Sequence, residues 1–552
     1  MILINKYFII TTLLLGVYVI SFFVYMEVWH KPKIKAVLEK SVLLPEVVVH
    51  FDLKGSPPKL NFMRSLLPML SDIGANGLLM EYEDMFPYRG DLLNLSARNC
   101  YEKAELKSFI NLAVRADFEV IPLIQTFGNL EHALKLKEFR HLREMDTYPD
   151  SICPSNPDSQ ILVQKMLEQV ISFHSSIKPL KYIHIGCNEV YHINQCDKCR
   201  SENTMDTNLF INYVKDIADI VKHLSPDTTV LIWDDMLRKI KPLQWEEMAI
   251  FNNVEPVYWE YTPCLSVSHI NLQNYYSKFQ NIWIASAFKG ADGRTMTIPS
   301  FRNRYLNHFS WMNLILDYTF GGGKSVYRFQ GIILTGWSRF SHMDPLCELL
   351  PASMPSLILN LLLIKKFKSG VIADSEMDSD PRDFFEKYLI ADINKILNCN
   401  SIVNFANFDS RYGIPCEFEK TDIYNTLKRY IIVSADINSH FDNIETGLSA
   451  VEYYSKVNTI DMNLVLIHLA WLRDTLQEWT EIEIKLTNSL SQYYDSDSTQ
   501  EYLNYKIYNG KKRLLGAIKA LNKYMKTRTW ERKPKIFTLE SEIRFKLVIN
   551  VC

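Results

Sequence analysis

Residues 181–199 read KYIHIGCNEVYHINQCDKC. Four apolar or aromatic residues, Tyr182–Ile185, form a run of strand length, and Gly186 ends it. An amide beside an acid, Asn188 and Glu189, follows where the strand stops. Helical patterns flank this run: DSQILVQKMLEQVISFH (158–174) precedes it and TNLFINYVKDIADIVKHL (207–224) follows it. The second helix leads into another strand-like run, TVLIWDD (229–235). Strand–helix–strand alternation at this spacing makes βα units with parallel pairing.

The same alternation extends in both directions. EVVVHFDL (46–53), GLLMEY (77–82) and EVIPLIQ (119–125) read as strands upstream; VEPVYWEY (254–261), NIWIASAF (281–288) and GIILTGW (331–337) do so downstream. They are apolar on both faces, as strands buried in a parallel sheet must be. About eight such strands fit within 45–375, which predicts a (β/α)8 TIM barrel. An open doubly wound sheet is the alternative, but no G-x-G-x-x-G follows the first strand. From residue 376 the texture changes to long segments with apolar residues at i, i+3, i+4 and i+7, which predicts a helical C-terminal domain over 376–552.

The N-terminus differs again. Residues 7–26, YFIITTLLLGVYVISFFVYM, carry no charge and are long enough as a helix to cross a hydrocarbon core of about 30 Å. No small-residue cleavage pattern follows, so residues 1–29 are expected to form a cytoplasmic tip and a transmembrane signal-anchor, with a basic linker over 30–44. Lys31, Lys33 and Lys35 after the span argue for a cytoplasmic body. The sequon Asn94-Leu95-Ser96 argues for a lumenal one, in the Golgi or another secretory compartment, and that is the expected orientation. A formal charge of −2 gives no basic footprint for nucleic acid. Cys196 and Cys199 form a C-x-x-C pair with no second pair nearby, and His192 is a possible third ligand. That count favours structural thiols or one disulfide over a metal site.

In a parallel barrel the reacting groups gather at the C-terminal strand ends. The residues closing each strand here are Asp52 and Lys54; Glu81, Glu83 and Asp84; Gln125 and Asn129; Asn188 and Glu189; Trp233, Asp234 and Asp235; Trp259 and Glu260; Lys289; and Trp337 and Arg339. Acids and tryptophans recur at one end. Carboxylates act on glycosidic oxygens and flat rings stack on sugar faces, so the pattern suits a glycosidase. Each acid alone could merely cap the next helix; the coincidence across several strand ends favours a site.

FDLKGSPPK (51–59), GLLMEYEDMFPY (77–88), IPLIQTFGNLEH (121–132), HIGCNEVY (184–191), IWDDML (232–237), EPVYWEY (255–261), ASAFKGA (285–291), NHFSW (307–311) and GIILTGWSRFSHMDPLCELLPASMPSL (331–357) resemble the hexosaminidase D branch of glycoside hydrolase family 20. The resemblance covers about residues 46–360. It implies removal of terminal β-linked N-acetylhexosamine with retention, the substrate's own acetamido oxygen acting as nucleophile. Matched by position, Glu189 is the acid/base and Asn188 stands where the family usually has Asp to orient the acetamido group. Trp233, Trp259 and Trp337 match the hydrophobic box around the sugar, and Glu83 or Asp84 a supporting acid. Asn129 stands where the family usually has His. The resemblance calls for no metal or organic cofactor. The two amides leave open a second reading, a catalytically impaired sugar-binding relative.

Overall fold

The computed structural model describes residues 43–526 and 529, apart from 248–250, 252, 321–326, 328, 370–379, 411–412, 419–420, 444–446 and 450–460. The expected signal-anchor and most of the linker lie outside these residues. Among the described residues no helix is long and apolar enough to cross a membrane.

Eight parallel strands close into a barrel. They are β1 (Glu46–Asp52), β2 (Gly77–Glu81), β3 (Glu119–Leu123), β6 (Tyr182–His184), β7 (Thr229–Trp233), β8 (Val254–Trp259), β9 (Ile282–Lys289) and β10 (Phe329–Gly336). The ring runs β1-β10-β9-β8-β7-β6-β3-β2, so neighbours follow chain order and β1 meets β10. Seven crossovers carry helices: Leu60–Asp72, Lys103–Arg115, Pro157–Ser175, Asp206–Leu224, Pro242–Glu247, His269–Lys278 and Phe301–Phe320. Met354–Lys368 follows the last strand. Each expected strand is present, within one to two residues at most ends, because a strand covered on both faces must be apolar throughout.

The register sets the mouth. Asp52 pairs with Glu81, Glu81 with Leu123, Leu123 with His184 and Trp233 with Val257. Inward residues therefore stack in layers. Val48, Leu79, Ile121, Leu231, Val257, Trp283, Ala285 and Ile333 fill the middle of the barrel, and Trp233, Trp259 and Trp337 pack on top of them. Beyond this layer the polar side chains of Glu81 and Gln125 line the mouth, and the barrel opens.

An element the sequence did not announce sits in the β3–β6 crossover. β4 (Arg143–Met145) and β5 (Tyr148–Ile152) form an antiparallel hairpin. It is pinned over the end of β3 by Leu130 N–H to Asp150 O (3.0 Å) and Ile152 N–H to Phe127 O (3.1 Å). Its sequence, REMDTYPDSI, shows no alternation of apolar and polar residues, so the period-2 signal of a strand is missing.

The chain divides into two compact units. The first comprises residues up to Tyr424 together with Ser491–Ser498; the second comprises Asn425–Leu490 and Thr499 onward. The first therefore runs past residue 376, where the sequence texture changes. It holds a disulfide between Cys399 and Cys416. The second is helical, and its core buries Leu472, Trp479, Ile482 and Leu486. Gly510 lies against the Trp479 ring so closely that a Cβ there would stand 2.4 Å from Cζ2.

Candidate active site

The barrel opens into a cavity of about 220 Å³ at the C-terminal strand ends. Pockets of roughly 300–1,000 Å³ enclose drug-sized ligands, so this one suits a single sugar ring. Eight of the ten expected site residues line it: Lys54, Glu83, Asn129, Asn188, Glu189, Trp233, Trp259 and Trp337. Asp52 and Asp84 do not. The Oδ2 of Asp52 accepts the Ser338 N–H (2.7 Å) and pairs with Lys54 (3.1 Å). Asp84 accepts the Gly55 N–H (2.9 Å) and stands behind His342 (3.5 Å). Both acids hold the wall and do not form its surface.

One wall is built from buried ions at the ends of β1 and β2. Lys54 lies 3.1 Å from Asp52 and 3.7 Å from Glu81, with its ammonium 4.9 Å above the Trp337 ring. Burial alone would lower its pKa; the carboxylates of Asp52, Glu81 and Glu83 outweigh that and hold it well above the usual lysine range. Burial would likewise raise Glu81, but Lys54, His50 and Gln125 hold it down at about 2. His50 Nε2 is 2.9 Å and Gln125 Nε2 3.0 Å from the Glu81 oxygens. β2 ends at Glu81, and Glu83 opens a 3₁₀ turn with φ of +43°, yet both reach the cavity. Glu83 Oε2 lies 2.7 Å from His342 Nδ1. Burial, which outweighs nearby Lys54, raises the Glu83 carboxyl well above the usual range, and burial lowers His342 to about 4.

The opposite wall forms where the loops after β3 and β6 interlock. A Cβ on Gly186 would stand 1.9 Å from Gln125 Oε1, and one on Gly128 would stand 2.2 Å from Asn188 O. Only glycine permits this approach. The chain then turns through positive φ at Gly186 (+69°), Cys187 (+66°) and Glu189 (+52°). Such a conformation costs about 1 kcal/mol or more for each non-glycine residue and persists only where its surroundings enforce it. Here Asp235 enforces it: its Oδ2 accepts the Glu189 N–H at 2.8 Å. The Glu189 side chain is held at both oxygens. The Tyr191 hydroxyl donates to Oε1 (2.7 Å) and Asn129 Nδ2 approaches Oε2 at 3.4 Å. Asn188 is only 7% exposed, and its Oδ1 is buried without a hydrogen-bond partner. A buried acceptor left open costs roughly 1–3 kcal/mol, and here it sits on a residue lining the cavity.

Three tryptophans and Tyr261 close the remaining side. The Trp259 Nε1–H donates to Asp235 Oδ1 (3.2 Å), its N–H to Asp234 Oδ1 (3.2 Å), and its carbonyl accepts from Arg238 (2.7 Å). Asp234 is fully buried in a two-pronged pair with Arg238 (2.6 and 2.7 Å). That acid therefore clamps the tryptophan loop and is not a reacting group. Trp337 donates to the Tyr261 hydroxyl (3.2 Å), and its ring centroid lies 5.9 Å from that of Trp233.

Sequence reasoning singled out neither Glu131, Tyr191, Tyr261 nor His342 as site residues. Glu131, Tyr261 and His342 line the cavity, and Tyr191 reaches Glu189 from beside it. Tyr261 lies within the strand-end stretch EPVYWEY and was open to the same rule as Trp259; Tyr191 and His342 stand on loops, where polar residues are ordinary, and Glu131 opens the short helix Glu131–Leu134, where an acid in the first turn is ordinary. Burial raises Glu131 to about 8, with Glu83 adding to the shift. His132, its neighbour, is buried with neither ring nitrogen partnered and does not line the cavity, so it does not take over from Asn129.

The glycosyl hydrolase family 20 catalytic domain, as a sequence model, matches residues 63–260. Human hexosaminidase D (Homo sapiens) is 40% identical over 338 residues, 60% of this chain and 68% of that protein. The Bos taurus hexosaminidase D is 38% identical over 338 residues, 60% of this chain and 95% of that protein. Among solved structures, the β-N-acetylhexosaminidase from Bacteroides fragilis NCTC 9343 is 15% identical with a TM-score of 0.43, covering 58% of this chain and 65% of that one. The Flavobacterium johnsoniae chitobiase is 12% identical with a TM-score of 0.44, covering 88% of this chain and 73% of that one. A parallel barrel with carboxyl groups and tryptophans at its mouth, together with this identity to known hydrolases, makes the chain a glycoside hydrolase. It belongs to glycosyl hydrolase family 20, in the hexosaminidase D branch.

Proposed function

We propose that the chain releases terminal, non-reducing β-linked N-acetylhexosamine from glycans or glycoconjugates, with retention at the anomeric carbon. The observation that carries this reading is the pairing of Glu189 with the open Asn188 Oδ1 in a cavity sized for one sugar and walled by tryptophan. The acetamido N–H of the sugar donates to Asn188 Oδ1, which turns the acetamido oxygen toward C1. That oxygen attacks C1 as the glycosidic bond breaks, and Glu189 gives its proton to the departing oxygen. The Glu189 carboxylate then takes a proton from the water that attacks C1, which opens the oxazolinium ring and restores the acid. Trp233, Trp259 and Trp337 pack on the methyl group and the ring face.

The decisive experiment is turnover of aryl β-GlcNAc and β-GalNAc by the purified chain beside its Glu189→Gln variant. A loss of 10²–10⁴ in kcat is expected for the variant; equal rates would remove Glu189 from the reaction. A second reading, a slow or silent sugar binder, is favoured by Asn188 and Asn129, neither of which supplies negative charge to the cationic intermediate. Tight binding of an oxazoline analogue without turnover would select it.

The apolar run 7–26 tethers this activity to a membrane with the barrel in the lumen. The sequon supports that orientation, since Asn94 is exposed. A glycosidase-sensitive mass shift lost in Asn94→Gln is expected; its absence in material from a secretory host would reverse the orientation.

A further inference from the structure

We infer that this protein carries a tetrahedral zinc site, separate from the sugar cavity, formed by Cys153, Cys196, Cys199 and Glu144. The sequence presents only the C-x-x-C pair. The fold brings two further ligands to it, and neither is His192, which instead pairs with Asp150 at 2.9 Å. Glu144 comes from β4, and Cys153 directly follows β5. Cys196 and Cys199 stand at the start of the short helix Asp197–Ser201.

The distances fit a metal and do not fit a disulfide. Cys153 Sγ lies 3.4 Å from Cys196 Sγ and 3.6 Å from Cys199 Sγ. Cys199 Sγ lies 3.2 Å from Glu144 Oε2, and all four donor atoms lie within 4.8 Å of one another. Ligands about 2.3 Å (sulfur) and 2.0 Å (oxygen) from a tetrahedral zinc stand roughly 3.8 Å apart for S···S and 3.5 Å for S···O. These three measured edges differ from those values by a few tenths of an ångström. All three cysteines are free thiols, and three thiols cannot all pair among themselves. A disulfide here would leave one thiol over.

The surroundings are those of a thiolate site. Glu144 is 2% exposed, and its Oε1 accepts the N–H groups of Gln195 (2.5 Å) and Cys196 (2.9 Å), which leaves Oε2 aimed at the sulfurs. The Ser155 hydroxyl donates to Cys199 Sγ (3.1 Å), and the Cys199 N–H donates to Cys196 Sγ (3.3 Å). Donors of this kind orient ligands and spread the negative charge of thiolates. Three soft sulfurs and one oxygen in tetrahedral array select Zn(II) over hard cations.

The site would clamp the β4–β5 hairpin to the chain that leaves Glu189. Residues 189–196 run from the acid through Tyr191 to the first ligand, so the zinc holds in place the loop whose hydroxyl meets Glu189. Its role is structural: its four positions are filled by protein, which leaves none for substrate.

Zinc content of the full chain, purified without chelator, tests this directly. About one zinc per chain is expected, falling to near zero in Cys196→Ser and in Glu144→Ala/Cys153→Ser. Replacing zinc with Co(II) in the wild-type chain should give thiolate-to-cobalt charge-transfer absorption and the strong visible bands of a tetrahedral site. The wild-type measurements stand even where a variant fails to fold. Zinc-free wild-type protein that takes up no Co(II) would overturn the proposal, as would a Cys153–Cys196 or Cys153–Cys199 disulfide in a non-reduced digest.

Discussion

The two walls of the cavity handle charge in opposite ways. On the β1–β2 wall every charge is buried and answered: Lys54 by Asp52 and Glu81, Glu81 in turn by His50 and Gln125. On the wall formed after β3 and β6, the groups around Glu189 are an amide, a phenol and a backbone-bound carboxylate, namely Asn129, Tyr191 and Asp235. The first arrangement is fixed before substrate arrives, because buried ions tolerate neither movement nor loss of a partner. The second keeps an open acceptor, Asn188 Oδ1, and so has one hydrogen bond left for a ligand. Rigidity resides on the ionic wall, and the unmet bond resides beside Glu189.

The largest effect expected from breaking this comparison is on the ionic wall. Lys54→Met removes the cation and leaves Asp52 and Glu81 facing each other in a buried site. Removal of one partner of a buried pair costs about 3–5 kcal/mol. Thermal unfolding should show a clear fall in Tm; an unchanged Tm would mean that the wall is held by packing and not by its ions.

On the neutral wall, Asn188→Asp restores a charge that the developing cation can use. One such group is worth on the order of 10²–10³ in rate. The kcat on an aryl β-N-acetylhexosaminide should rise by that factor, with a smaller change in KM. A rise of less than about threefold would mean that the amide already serves, and that the neutral wall is adapted and not impaired.

This contrast also marks what could be read from the chain before folding. The eight strands were legible because a parallel barrel buries both faces of each strand, and EVVVHFDL or GIILTGW can hardly do anything else. The tryptophans and Glu189 stood among the residues that close the strands at one end, and the resemblance to family 20 singled them out from the rest. Glu131 and His342 were not legible, since one opens a short helix and the other stands in a loop, and each acquires meaning only through burial against other segments. Asp52 and Asp84 obeyed the strand-end rule and still turned away, because the Ser338 and Gly55 N–H groups claimed their carboxylates. A register places a residue at the mouth; backbone donors from other loops decide whether it faces the ligand.

Glu131 extends the neutral wall further than its residue type suggests. Burial raises its carboxyl to about 8, so it stays protonated at neutral pH. An unfolded glutamate loses its proton near pH 4.3. Between these values the folded chain holds a proton that the unfolded chain has lost, so this group's contribution is fully present below about pH 4 and falls as pH rises toward 8. Glu131→Gln keeps the neutral form at every pH. Its Tm should therefore fall less than that of the wild type between pH 5 and pH 9, by a few degrees. Parallel Tm–pH curves for the two chains would assign the charge of this wall differently.

The smallest expected effect lies at the junction of the neutral wall with the loop leading to the cysteine cluster. The Tyr191 hydroxyl donates to Glu189 Oε1, yet the tyrosine side chain is largely exposed and little else holds it. A hydrogen bond to a charged group contributes about 1.5–3 kcal/mol when buried, and less where water competes. Tyr191→Phe should therefore reduce kcat only severalfold and leave Tm unchanged. The rate discriminates between two roles. If Tyr191 only covers the cavity, Phe covers it equally well and neither kcat nor KM moves. If Tyr191 positions the acid, kcat falls with KM unchanged, and the loop that carries it becomes part of how this wall compensates for its missing charge.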